Sequence, residues 1–327
     1  MKTTAAEILN RRFGVEVEMT NISRPHAARV CRETLAAAHP DRRYSIVRVP
    51  SYDTRRVTEL YPNGKFRHWD FMSDSSVHVR GEGMAEFVTP LLDWSDMEDL
   101  QALIRAFREA GALSNPAYEC GVHIHVDAAD LDAAQLKNLA NLCASHEELL
   151  MEATNLDPSR RTWCAPIHPR FLAEINRRKI RDLEDMKLTW YEMNTGVRAD
   201  RSHEHYENSR YHVLNLHSLW QGKGVEFRLW QFNRFDPTAP VGRRRGGLHA
   251  GRLKAYVQMC LALVNYANKA RNCSPKVLHN GNKKYAMRCW LLRLGFIGPE
   301  FKTARGVFTE KLEGNSSRVG GRPSQAN

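Results

Sequence analysis

No run of apolar residues approaches the ~18 needed to cross a bilayer, so no membrane helix is expected. The first residues carry no apolar h-region, so no secretory leader is expected either. The seven cysteines (31, 120, 143, 164, 260, 273 and 289) are odd in number and form no CxxC pair. A fully paired disulfide framework and a zinc ribbon are thereby excluded, and free thiols in a reducing cytoplasm are expected. There is no Walker A loop and no GxGxxG, so a nucleotide would have to be held without a glycine-rich phosphate loop. No HExxH and no internal repeat is present. Acidic residues are outnumbered: 37 Asp+Glu stand against 48 Lys+Arg, a formal net charge of +11.

The chain has 327 residues and is 42% apolar, which suffices for a sizeable core and excludes a mostly disordered chain. Its excess charge is concentrated. Residues 160–188 hold eight Lys/Arg and four Asp/Glu, and residues 234–254 hold six and one, including Gly242-Arg243-Arg244-Arg245. The cations are 35 Arg and 13 Lys. Arginine is favoured where carboxylates or phosphates are gripped by two hydrogen bonds at once. Three readings of the charge follow: a nucleic-acid surface, a site for smaller anions such as a triphosphate or an acidic substrate, and a solubilising surface.

Strands are expected at 13–19, 54–60, 65–71, 75–80, 84–89, 121–126, 211–218 and 225–232. Pro62-Asn63-Gly64 marks a hairpin between the second and third. Helices are expected at 25–38 behind a Ser23 cap, from Ser95 to 110, at 131–152, within 168–188, at 253–270 and at 283–294. This order gives an α+β fold with a largely antiparallel sheet backed by helices. One domain over residues 1–313 is expected, with a disordered Gly/Ser/Pro-rich tail at 314–327.

Three of these strands carry unusual chemistry. Side chains alternate faces along a strand. Glu16 and Glu18 therefore share one face, with Val15 and Val17 opposite; His123 and His125 share one face, with Val122, Ile124 and Val126 opposite; Glu226 and Arg228 oppose Val225, Phe227 and Leu229. A sheet with one face in water alternates in the same way. Here, however, the polar residues are Glu, His and Arg, and Gly14 and Gly121 flank them where a backbone or ligand can approach closely. Glu86 is isolated in the apolar run 84–88, and Asp74 lies at a turn just upstream. Glu16, Glu18, Asp74, Glu86, His125 and Glu226 could together hold two divalent cations, and carboxylate-rich ligation suits Mg²⁺ or Mn²⁺. Other clusters read more plainly. Ser202-His203-Glu204-His205 lies in a polar stretch and reads as a solvated loop; Cys120 reads as a small buried residue; Trp220 and Trp230 read as core, with stacking on a base as the alternative.

The ordered segments FGVEVEM, DSS, EFVTP, CGVHIHVD, RYHVLN and VEFRLWQFN, over about residues 13–270, resemble the phage and bacterial amidoligase family. That family is similar to the glutamine synthetase and glutamate–cysteine ligase superfamily of carboxylate–amine ligases. The resemblance implies a curved antiparallel sheet whose concave face holds ATP and divalent metals. It implies Glu16, Glu18, Glu86, His125 and Glu226 as metal ligands, with Asp74 a further one. Arg228 and Arg210 would face phosphate, with Asn215 near the nucleotide; His123 would contact nucleotide or substrate, or else be structural. The implied reaction is phosphorylation of a carboxylate, then attack by an amine of an amino acid, small amine or peptide. The Arg-rich segments match no motif of the family, which leaves open whether they bind the substrate, an acidic macromolecule or nucleic acid.

Overall fold

The computed structural model describes residues 4–79, 81–233, 247–277 and 281–317. The Arg243–Arg245 cluster and the tail from 318 onward lie outside the described residues. Eight strands form one sheet: β1 (Phe13–Thr20), β2 (Arg43–Val49), β3 (Thr54–Leu60), β4 (Phe66–Met72), β5 (Met84–Val88), β6 (Val122–Val126), β7 (Leu214–Asn215) and β8 (Val225–Trp230). Their order is β2-β3-β4-β5-β1-β6-β8-β7. Every pairing within it is antiparallel. Eleven α-helices are found among the described residues. They are α1 (Ala5–Ile8), α2 (Arg24–Ala38), α3 (Met97–Glu109), α4 (Ala133–Ala144), α5 (Glu147–Thr154), α6 (Pro169–Arg177), α7 (Leu183–Thr195), α8 (His217–Trp220), α9 (Ala250–Lys269), α10 (Lys283–Leu294) and α11 (Lys302–Thr309). The fold is α+β with an open antiparallel sheet.

The apolar face of the central strands meets the helices. Val15, Val17, Val122, Ile124, Phe227 and Leu229 are buried there. Helix α9 packs on β6 and against α3, α4 and α11. Trp230 stacks on Tyr256 of α9 at 4.8 Å between ring centroids, so it is core. Each such side chain contributes on the order of 1.5–3 kcal/mol by leaving water. Helix α2 starts where the sequence places it, with Ser23 capping the His26 amide. The hairpin also forms: Gly64 takes φ +82° in the turn between β3 and β4, a conformation open to glycine and costly for other residues.

Five expectations differ. Residues 75–79 form no strand, because the Asp74 carboxylate accepts the Ser76 amide and turns the chain into a loop. The strand expected at 211–218 shrinks to Leu214–Asn215, because Asn215 Oδ1 accepts the His217 amide and starts α8. Asp93, not Ser95, caps the turn that leads into α3. The helix at 131–152 is interrupted between α4 and α5, where Ser145 Oγ donates to the Leu142 carbonyl. Strand β2 and helix α11 have no counterpart in the sequence reading; β2 is an edge strand whose half-exposed pattern hides the alternation.

At the start of α5, Glu147 is buried and accepts the Ile167 amide at 3.0 Å. Burial pushes its carboxyl up to about 8. The folded state thus holds this proton more tightly than the unfolded chain. Its contribution is fully present below the ordinary carboxylate range and is lost as pH rises toward 8. Between pH 6 and 8 the loss is on the order of 2 kcal/mol. Glu147→Gln should flatten this fall in melting temperature, measured by thermal denaturation at both pH values; an unchanged slope refutes the assignment.

Candidate active site

The register of the sheet assembles the polar face. Glu16 on β1 lies opposite His123 on β6, and Glu18 lies opposite Glu86 on β5. His125 lies opposite Glu226 on β8, and Glu226 opposite Asn215 on β7. A register shift between β6 and β8 falls beside His123, a device that re-aims side chains near sites.

The resulting contacts are dense. Glu16 Oε2 is 3.2 Å from His123 Nδ1, and Glu16 Oε1 is 3.1 Å from His125 Nε2. His125 Nδ1 is 3.1 Å from Ser218 Oγ. Arg228 Nη1 donates to Glu226 Oε1 at 2.6 Å, and Asn215 Nδ2 donates to Glu226 Oε2 at 2.5 Å. Burial alone would raise Glu16, but the two imidazoles outweigh it and hold this carboxyl well below the usual range. Burial opposes charge on His125, and Glu16 overrides it to raise the imidazole. Glu226 is likewise brought down to about 2, chiefly by Arg228 acting against burial. Glu86 goes the other way: burial, then repulsion from Glu16, Glu18 and Asp74, push it well above its ordinary value.

Three groups bring ligand atoms within 4.8 Å of one another: Glu16, Glu86 and His123; Glu16, His125 and Glu226; and Glu18, Asp74 and Glu86. The donor set fits divalent cations. His123 Nε2 is buried with no hydrogen-bond partner, and a cation would relieve the mutual repulsion that raises Glu86.

Above the acids lies a cavity of about 1100 Å³. Several contacts tie its wall together. The Tyr52 carbonyl accepts the Ser73 amide at 3.2 Å, and the His78 amide donates to the Tyr118 carbonyl at 3.0 Å. Trp163 Nε1 donates to Glu119 Oε2 at 2.9 Å, and Trp163 meets Tyr211 edge-on at 5.3 Å. The Arg210 guanidinium lies over Tyr211 and Tyr206, 5.1 and 5.6 Å from the ring centres. Tyr206 and His205 reach the Tyr52 hydroxyl at 3.1 and 3.2 Å. Tyr52 and Asp53 both take left-handed backbone (φ +53° and +46°), and Arg24, Arg48 and Arg55 hold the Asp53 carboxylate. The 202–205 stretch is therefore only partly a solvated loop, since His205 joins this rim.

Glu16, Glu18, Asp74, Glu86, His125, Glu226 and Arg228 all line the cavity. Arg210 stands at the rim, where its Nη1 donates to the His205 carbonyl. Asn215 lines the cavity too, but its amide is engaged by Glu226 and the His217 amide. His123, read as either a nucleotide or substrate contact or a structural residue, is buried among the carboxylates and does not line this cavity. Cys120 is buried, and burial pushes its thiol up to about 12, as suits a packing residue.

The sequence reading missed Arg160. Its guanidinium is buried, 3.6 Å from Glu18, and donates to the carbonyls of Glu119 and Arg228. No motif marks it; the only hint is Gly121, whose absent side chain makes the space. The rest of the 160–188 charge is largely spent elsewhere. Arg161 pairs with Glu148, Arg177 with Glu174, Arg178 and Arg181 with Asp185, and Lys187 with Asp200. In the described part of 234–254, Arg252 pairs with Glu310 and Lys254 with Glu300.

A family model described as "Putative amidoligase enzyme" matches residues 9–264, which contain every one of these site residues. The chain belongs to this amidoligase family, and its class is therefore that of a ligase. No curated protein and no solved structure matches it. No helix among the described residues is long and apolar enough to cross a membrane.

A β-carbon on Gly121 would sit 2.0 Å from Arg160 Nη2. Gly121→Ala should expel this guanidinium from behind Glu18 and lower the melting temperature by several degrees (about 1–3 kcal/mol). Adding Arg160→Ala to Gly121→Ala should cost little more, since the first change already displaces that side chain. Fully additive losses in a double-mutant cycle refute the coupling.

Proposed function

We propose that this chain is an ATP- and divalent-metal-dependent carboxylate–amine ligase that makes an amide bond through an acyl phosphate. The observation that carries this reading is the pairing of three overlapping cation-ligand groups with the Glu226–Arg228 pair on one sheet face. A carboxylate resists nucleophiles because of its charge. Phosphorylation removes that obstacle, provided the charges of the triphosphate are neutralised and the reactants are held in line.

In this reading Glu16, Glu18, Asp74, Glu86, His123, His125 and Glu226 hold the cations, which supply electrostatic stabilisation of the phosphate oxygens. Arg228, fixed by Glu226 and the Trp163 carbonyl, presents its guanidinium to the transferred phosphoryl group, and Arg210 does so from the rim. Asn215 keeps Glu226 in place. An antiparallel sheet with acids on one face also supports a curved, glutamine synthetase-like arrangement. A nucleic-acid partner finds less support, because most of the described arginines of the 160–188 segment are engaged by carboxylates within the chain.

The test is release of ADP with Mg²⁺ or Mn²⁺ across a panel of carboxylates and amines. Glu16→Gln, nearly isosteric, should reduce turnover at least ~100-fold while the protein stays folded, because it removes one charge from two candidate cation groups. An unchanged rate in that variant removes Glu16 from the metal site. Failure of ATP to bind in the presence of Mn²⁺ ends the ligase reading.

A further inference from the structure

The acids on the floor of the cavity have a role in the reading above, but one carboxylate in its wall does not. Glu119 follows the short turn Pro116–Tyr118 and takes left-handed backbone, φ +63°. That conformation is unfavourable for a side chain branching beyond Cβ and persists only where the surroundings enforce it. They do so here from both sides. The Glu119 amide donates to the Pro116 carbonyl at 3.0 Å, and the Glu119 carbonyl accepts Arg160 Nη1 at 3.2 Å. The side chain is thereby aimed into the cavity, where Oε2 accepts the Trp163 indole N–H at 2.9 Å. Among the described residues no cation reaches this carboxylate. The Arg160 guanidinium binds the backbone oxygen of Glu119 and lies against Glu18 instead.

A half-buried carboxylate with one neutral hydrogen bond, beside an indole, in a cavity, has the chemistry of an ammonium site. The carboxylate offers charge-assisted acceptance, and the indole N–H fixes its orientation. The hydroxyls of Ser159 and Thr162 also line the cavity and can accept N–H groups. One guanidinium, that of Arg160, links the Glu119 backbone to Glu18 on the acid floor. The opposite character appears further around the rim, where Arg210, Lys223 and His205 gather.

We propose that Glu119, oriented by Trp163, binds the amine nucleophile as its ammonium ion, and that Glu119 takes the proton the amine must lose. This deepens the ligase reading and rests on it. In the step itself the ammonium gives one proton to Glu119, and the freed nitrogen lone pair forms the C–N bond at the acyl carbon. The C–O bond to phosphate breaks, and phosphate leaves with that electron pair. The nitrogen's second proton passes to the departing phosphate as the amide forms. A primary amine with a positive charge at neutral pH is the acceptor class this wall selects.

Glu119→Gln separates this role from a structural one, because the amide oxygen still accepts the Trp163 N–H while the charge is gone. Equilibrium dialysis of radiolabelled putrescine and of lysine should show binding to the wild type. Binding to the Gln variant should weaken about 10- to 100-fold. Glu119→Asp, which keeps the charge, should retain most of it. Equal losses in the Gln and Asp variants, or no amine binding by the wild type, overturn the proposal. Release of ADP with the same amines separates the two readings. If Glu119-dependent binding is seen without any ADP release by the wild type, the ligase reading falls and the amine site stands. If the Gln variant releases ADP as fast as the wild type at low amine concentration, the amine site falls and the ligase reading stands.

Discussion

Five carboxylates, those of Glu16, Glu18, Asp74, Glu86 and Glu226, converge on one face of the sheet, and the repulsion among them is the constraint the site is built around. Like charges this close cannot all stay ionised without compensation. The protein supplies part of it: His123 and His125 bracket Glu16, Arg228 and Asn215 hold Glu226, and Arg160 with the Gly121 amide holds Glu18. It leaves Glu86 uncompensated, so this carboxyl is pushed toward its neutral form. Such an arrangement is costly unless something positive arrives, which is why the acids argue for cations more strongly than their number alone does.

The helices explain how the sheet tolerates that face. With Val15, Val17, Ile124, Phe227 and α9 packed on the other side, the register is fixed wherever a slip would bury acids and expose valines. The paired register of β1, β5, β6 and β8 is then what brings residues 16, 86, 123 and 226 together across more than 200 positions of sequence. The loops add the walls. Asp74, Glu119, Trp163 and Arg210 all stand on turns or at short helical segments, where side-chain hydrogen bonds hold them.

This division decides what could be read in advance. Strand alternation is local, so Glu16 with Glu18, His123 with His125, and Glu226 with Arg228 were legible as pairs. Helix α2, the hairpin at Gly64 and the long α9 were legible for the same reason. His123 was placed on the right face, but its depth depends on the β6–β8 register shift, which no local pattern records. Arg160 was illegible because its position depends on the space left by a glycine 39 residues away. Tyr52 and Tyr206 meet only through the tertiary fold. Residues 75–79 and 216–218 had strand-like composition, and single Asx turns at Asp74 and Asn215 overrode it.

The charge that dominates the composition takes a different meaning once its partners are seen. Arginine outnumbers lysine 35 to 13, and the structure uses arginine repeatedly as a clamp on carboxylates inside the fold. Arg24, Arg48 and Arg55 hold Asp53. Arg42 and Arg67 hold the buried Glu59. Arg178, Arg181 and Arg198 hold the buried Asp185. A planar guanidinium can satisfy two oxygens at once and loses little in giving up its water, which suits it to these half-buried places better than an ammonium group. At Asp53 three cations serve one acid, whereas Arg67 also pairs with Asp96, Arg178 with Glu174 and Arg198 with Glu192, so only clamps of the first kind accumulate positive charge without an anionic partner. At Asp53 the clamp also sustains the left-handed turn that carries Tyr52 to the cavity rim. Part of the basic excess is thus the consequence of how loops are held around the acid face, and net charge alone is a poor guide to what this chain binds.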